Sequence, residues 1–168
     1  SVIAFLNLKE QDNMVTIVAN KALHNHLIPS PYIESVYLYN SYIDLILSTR
    51  NGEQSSLEQF YDKDIVNYLS NVDLLIENAA KPIIHSVTYY SQKKDICSYI
   101  LYEKNKENNK IMNALVINIS IDTLIKSIQD INSKNKLGFK FIVLDRNGNF
   151  VGQSPIVDSK LSEHIADK

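Results

Sequence analysis

The stretch IMNALVINISIDTLIKSIQDIN, Ile111 to Asn132, changes its hydrophobic period once, at Ser120. Before that point Ile111, Asn113, Leu115, Ile117 and Ile119 alternate with Met112, Ala114, Val116 and Asn118. Both series are largely apolar, the pattern of a strand covered on both faces near the middle of a sheet. Beyond it Ile121, Leu124, Ile125, Ile128 and Ile131 recur at steps of three and four, one stripe of a helix, with Asp122 and Asp130 on polar positions and Ser120 as a candidate N-cap. A central strand that runs straight into a departing helix can carry motion out of a sheet.

Totals bound the rest. The chain has 168 residues, 45% of them hydrophobic and 21% charged, enough for one ordinary domain or one domain and part of a second. A net charge of −2 with no basic face argues against nucleic acid as a partner. Cys97 is the only cysteine, so no internal disulfide can form, and its apolar flanks read as those of a small packed strand residue. No apolar run approaches the roughly 20 residues needed to cross a bilayer.

Outward towards the N-terminus, Ser1 to Leu27 is mostly one long helix by pattern. Met14, Val15, Val18, Ala19, Ala22, Leu23 and His26 share a face, Asp12 stands before it as a cap, and Pro29 and Pro31 end it. His24 and His26 point about 200° apart on such a helix and cannot grip one metal ion. Strands follow over Ile33 to Tyr39 and Ile43 to Ser48. A helix is then expected to open at Ser55, with Glu58 at capping-box spacing, its face marked by Leu57, Phe60, Tyr61, Asp64, Ile65, Tyr68 and Leu69. Val72 to Ala80 is helical or irregular.

Three more strands are expected over Ile83 to Tyr90, Ile96 to Glu103 and Ile111 to Ile119. They are joined by the polar connections Gln92 to Asp95 and Lys104 to Lys110, short enough for antiparallel hairpins. Past the departing helix, Phe139 to Leu144 and Phe150 to Gln153 flank Asn147-Gly148, a tight-turn signal. Ser159 to Lys168 looks like the start of a further helix, broken off. The expectation is an α+β protein with an antiparallel five-stranded sheet, a long N-terminal helix and a second hairpin. The polar segment 133–138 divides it into 1–133 and a partial or small module, 134–168.

Enzyme motifs are absent: there is no phosphate loop, no nucleophile elbow and no His-Glu-x-x-His. Asp145, Asn147 and Asn149 fail as a calcium loop because the glycine falls at the fourth place and Ile156 at the twelfth. No nucleophile, base and orienting group occur as a set. The expectation is therefore no enzyme, no cofactor and no metal. The anomaly is tyrosine: all 10 lie between Tyr32 and Tyr102, and a flat apolar ring with a polar tip suits both a core and a small-molecule pocket.

The order of elements is similar to that of the bacterial PAS-like Cache sensor domains. Ile33 to Asn40 resembles their first strand, and Phe60-Tyr61-Asp62 the helical segment seen in ectodomains of Gram-positive AraC-type regulators and sensor histidine kinases. Val116 to Ile119 with Leu124 and Ile128 resembles their last strand and exit helix. Val143 to Val151 resembles the hairpin that opens a second, membrane-proximal module. The resemblance implies the extracellular, ligand-sensing part of a membrane-anchored receptor that controls transcription or a kinase.

The amino-acid-sensing branch of that family uses an arginine and a tryptophan, which Tyr61-Asp62-Lys63-Asp64 lacks. A sugar, an organic acid, a protein partner such as an extracellular binding protein, or no ligand stay open. Polar and aromatic positions on the middle strands and their covering segment make Tyr61, Asp62, Lys81, His85, Tyr89, Tyr99 and Asn118 the candidate ligand residues. The groove is expected between the sheet and the Leu57 to Ala80 region. The competing expectation is a ligand-free module that dimerises through the Met14 to Leu27 helix.

Overall fold

The computed structural model describes residues 1–27, 30–77, 81–89, 91–135, 139–144, 148 and 150–153. In chain order its elements are α1 (Val2–Leu6), α2 (Asn13–Leu27), β1 (Ile33–Asn40), β2 (Leu45–Ser48), β3 (Gln54–Ser55), α3 (Lys63–Ser70), α4 (Val72–Glu77), β4 (Ile83–Tyr89), β5 (Gln92–Lys104), β6 (Ile111–Ser120), α5 (Ile121–Lys134), β7 (Ile142–Leu144) and β8 (Phe150–Gln153). By packing the chain forms two compact units, Ser1–Ser120 and Ile121–Lys168.

Within the first unit β6 is central, as its two apolar faces require. The sheet order is β3-β2-β1-β6-β5-β4, with every pairing antiparallel. Tyr37 lies opposite Val116 and Leu38 opposite Leu115, while Ser98 on β5 faces Asn118. Because side chains alternate along a strand, β1 feeds two cores. Val36 and Leu38 pack with Phe5, Ala19, Leu23 and Leu47 beneath α1 and α2. Tyr37 and Tyr39 pack with Phe60, Ile65, Leu69 and Val116 beneath α3 and α4. Cys97 is a half-buried free thiol on β5, pushed up in pKa by that burial.

The sheet has six strands, not the five expected. Ser55 does not open a helix; it pairs with Ile46 as part of β3. The helix starts only at Lys63, where the Asp62 carboxylate accepts the Ile65 amide at 3.2 Å and so caps it. Capping-box spacing at Ser55 and Glu58 was a local signal that strand pairing and the complete burial of Phe60 override.

The N-terminal segment is likewise two helices. Ser1 caps α1, and Asp12 Oδ1 accepts the Met14 and Val15 amides to start α2. Residues 92–95 are strand rather than connection, since Tyr89 pairs with Gln92, and Ser91 before it lies in a turn with φ 63°. The tip at 104–110 and α4 lie where the pattern places them. Residues 78–80, Asn147 and the expected helix over Ser159 to Lys168 fall outside the described residues.

In the second unit β7 pairs with β8, and Gly148 before β8 has φ 82°. A Cβ on Gly152 would meet Ile125 Cδ1, and that side chain would have to turn away to admit it. Packing groups α5 with this hairpin, so the division falls at 120/121 and not near 133–138.

One buried amide holds α1 on the sheet. Asn40 is fully buried; its Nδ2 donates to the Phe5 carbonyl at 2.7 Å and the Leu8 carbonyl at 3.1 Å, and its Oδ1 accepts the Tyr42 amide at 2.9 Å. Replacing Asn40 by Ala leaves these groups unpaired. The expected cost is about 2–3 kcal/mol, read as a lower urea midpoint at unchanged m.

Candidate functional site

Three elements bring polar side chains together on the α3 side of the sheet: β1 through Tyr37, the segment before α3 through Tyr61 and Asp62, and β4 through His85 and Tyr89. Asp62 is the hub. Its side chain is 1% exposed, and besides capping α3 it accepts the Tyr37 hydroxyl on Oδ2 at 3.2 Å. His85 Nε2 lies 3.2 Å from both carboxylate oxygens. Tyr61 donates its hydroxyl to that of Tyr37 at 3.0 Å, and Ser48 Oγ sits 3.4 Å from the Tyr61 oxygen. Hydroxyls, imidazole and carboxylate thus form one chain from β2 to β4.

Its electrostatics follow from burial. Tyr37 is pushed far up, first by desolvation and then by Tyr61 and Asp62, so it stays a donor. Tyr61 is pushed up to about 12 by burial, with the Ser48 and Tyr37 hydrogen bonds and the Arg50 charge pulling back. Burial works to lower His85, but the hydrogen bond and charge of Asp62 outweigh it. The Asp64 charge adds to the pull, as does the nearby Ile83 carbonyl, short of a formed bond at Nδ1. The net result is a raised imidazole beside a carboxylate, a buried pair that is ionic while the imidazole is protonated.

An aromatic and cationic annex adjoins the chain. The Tyr61 ring lies 4.5 Å from Phe60, 5.2 Å from Tyr89 and 6.0 Å from Tyr37. The Arg50 guanidinium sits over the Tyr89 ring at 4.4 Å and pairs with Glu34 at 3.2 Å. Lys94 reaches the same Glu34 oxygen at 2.7 Å, and Asn51 donates to the Tyr89 hydroxyl. Beneath, Ser98 donates to Asn118 at 2.6 Å and Asn118 to Ser35 at 2.8 Å, and Ser35 hydrogen-bonds Tyr37.

Of the sequence candidates, Tyr61, Asp62, His85 and Tyr89 therefore meet, and Asn118 joins them through Ser35. Tyr99 does not. Ser98 points to Asn118, so its neighbour Tyr99 points to the opposite face of the sheet, where it is exposed. Lys81 is exposed in the bend before β4 and is outside the cluster. The cation beside the aromatics is Arg50. Sequence reasoning passed over it, along with Glu34, Tyr37 and Ser48; its one signal was being one of two arginines in the chain.

The far end of α3 borders an open groove of ≈ 730 Å³. It lies between the sheet and the Leu57–Asp73 segment, in the expected region, yet none of the sequence candidates lines it. Tyr39, Leu57, Leu69, Asn71, Asp73 and Ile111 do. Among the described residues Asp62, Asp64 and His85 also bring three possible metal-ligand atoms within 4.8 Å of one another. The Asp62 oxygens are already engaged by the Ile65 amide, Tyr37 and His85, so an ion there would have to displace a proton and two hydrogen bonds.

Because His85 is raised when folded above its ordinary value of about 6.5, its stabilisation is complete below that pH and fades as pH rises through the folded value. Wild-type protein should lose urea resistance across that window, and His85→Gln should flatten the slope. At pH 6 the variant should be less stable by about 3 kcal/mol, the low end for breaking a buried pair, since Asp62 keeps two other partners.

No family model matches the chain and no curated protein matches it.

Proposed function

We propose that the chain is an extracytoplasmic signal-input domain, of the PAS-like Cache kind that its sequence resembles, which senses a small molecule on the outer face of a membrane-anchored receptor controlling transcription or a kinase. One observation carries the reading. The groove touches two elements whose other ends lead elsewhere: α3, anchored at its start by Asp62, and β6, which passes directly into α5. A ligand against Leu69, Asn71 and Ile111 would favour one placement of both, and could shift the receptor only by its differential affinity for two states.

Chemistry at the buried chain is not part of this reading. Tyr37 is held protonated by burial and is not poised to attack, and His85, buried against Asp62, does not line the groove. A second reading, a ligand-free dimerisation module, is favoured by Met14, Ile17 and Val18. They leave an exposed apolar stripe at helical spacing on α2.

A thermal-shift screen across metabolite classes, beside mass measured at several concentrations, separates the two. Sensing predicts a hit, worth roughly 2.7 kcal/mol at 100 times the dissociation constant. A silent panel, together with a dimer that dissociates in Val18→Glu, would favour the second reading and remove the first.

A further inference from the structure

We infer that the groove takes a neutral polyhydroxylated ligand, a saccharide. This rests on reading the chain as a ligand sensor and adds the chemical class. The inference starts from the amides. Asn71, Asn105, Asn108 and Asn109 all line the groove, and each has its side-chain oxygen engaged. Asn71 accepts the Leu74 amide at 3.2 Å, Asn105 the Glu107 amide at 2.8 Å, Asn108 the Lys110 amide at 3.1 Å and Asn109 the Lys104 ammonium at 3.4 Å. Only the oxygen of an amide can accept, so these bonds fix which way each side chain is turned. Among the described residues the Nδ2 donor of all four has no partner.

The same groove is lined by two carboxylates, Asp44 and Asp73, and by the Lys110 ammonium, with Lys104 on Asn109 and Lys9 over the Tyr42 ring at its border. Asp44 gives one oxygen to the Leu57 amide at 3.1 Å and keeps the other. Donors and acceptors are therefore interleaved, and that mixture discriminates. An anion would satisfy the amides but meet Asp44 and Asp73. A cation would satisfy the carboxylates but offer only donors to four N–H groups that need acceptors. A hydroxyl donates and accepts from one atom, so a ring of hydroxyls satisfies both sets without a buried charge.

The apolar side of the groove takes the remaining surface of such a molecule. Leu57, Leu69 and Ile111 line it beside the ring of Tyr39, matching the C–H faces of a sugar ring. The volume lies within the roughly 300–1,000 Å³ range of small-molecule sites. Unmet hydrogen bonds give such sites their selectivity, because an analogue without the matching hydroxyl leaves a donor or carboxylate desolvated and unpaired.

Isosteric variants separate recognition from folding. Asn71→Asp keeps the acceptor for the Leu74 amide, and Asn108→Asp keeps the acceptor for the Lys110 amide; each replaces an Nδ2 donor by an oxygen. Titration calorimetry of the 168-residue protein would use neutral trisaccharides of glucose, galactose, xylose and N-acetylglucosamine, with glucuronate, glutamate and putrescine as charged comparators. The expected result is binding of a neutral saccharide, weakened at least tenfold in each variant with Tm unchanged. Saccharide binding that both variants leave intact would overturn the site. Binding of a charged comparator alone, weakened by the variants, would overturn the ligand class and leave the sensor reading standing. Silence from neutral and charged probes alike would remove both.

Discussion

A carboxylate buried to 1% exposure is the constraint on which the α3 side of this fold depends. Asp62 cannot sit there unpaired, because desolvating a charge without partners costs several kcal/mol. Its partners come from distant places. Tyr37 is on β1 and His85 on β4, with β6 and β5 between them in the sheet. Three strand spacings amount to about 14 Å on a flat sheet, too far for both to reach one carboxylate directly. The sheet must curl around the segment before α3, and the long Tyr37 side chain must reach in from one flank while His85 reaches in from the edge. Asp62 thus acts as a staple across the concave face, and the same carboxylate that closes it through Oδ2 starts the helix through Oδ1.

That staple explains why the edge strand can lie where it does. β4 pairs on one side only, with β5, and an edge strand of seven residues has little else to fix its height. The ion pair at His85 supplies a fixed point in its middle, and Tyr89 stacking with Tyr61 supplies another near its end. Arg50 extends the fixation outward. It lies over Tyr89 while bound to Glu34, which also holds Lys94 of β5, so β1, β4 and β5 are tied at their rim by one acid and two cations.

What could be read in the sequence was whatever a local period expresses. Ile111 to Ile119 could only be a strand with two covered faces, and the switch at Ser120 could only be the start of a helix. The tyrosine concentration marked the correct region. What could not be read was set by pairing between distant strands. Tyr99 and Tyr89 look alike as strand tyrosines, yet the register of β5 against β6 sends Tyr99 to the opposite face, and a shift of one residue would have reversed the outcome. Ser55 carries a helix signature that loses to its pairing with Ile46, a contact no window of sequence contains. Arg50 sits at a strand end with nothing beside it in the chain to announce Tyr89 or Glu34. The residues that line the groove escaped notice for a related reason: its amides occur in turn segments, where asparagine is expected for conformational reasons alone.

The eight residues of α3 are too few to be a stable helix in isolation, so its order comes from its surroundings. Its first turn is held by Asp62, and its buried stripe, Ile65 and Leu69, by the core. Its last turn ends at Ser70 beside the groove, where Asn71 turns the chain and accepts the Leu74 amide in the first turn of α4. The two ends of this helix meet different surroundings, the buried Asp62 carboxylate at its start and the open groove past Ser70. Occupying the groove would act at that end, while β6, whose first residue Ile111 lines the same groove, runs the length of the sheet to Ser120. The arrangement separates the buried polar chain, which ties the sheet to α3, from the open polar groove, which lies apart from it. A buried ion pair is poorly suited to exchange with a ligand, because every partner removed leaves a charge without compensation. An open rim of amide donors carries no such penalty, so under the proposed sensing role an occupant would exchange there and not at Asp62.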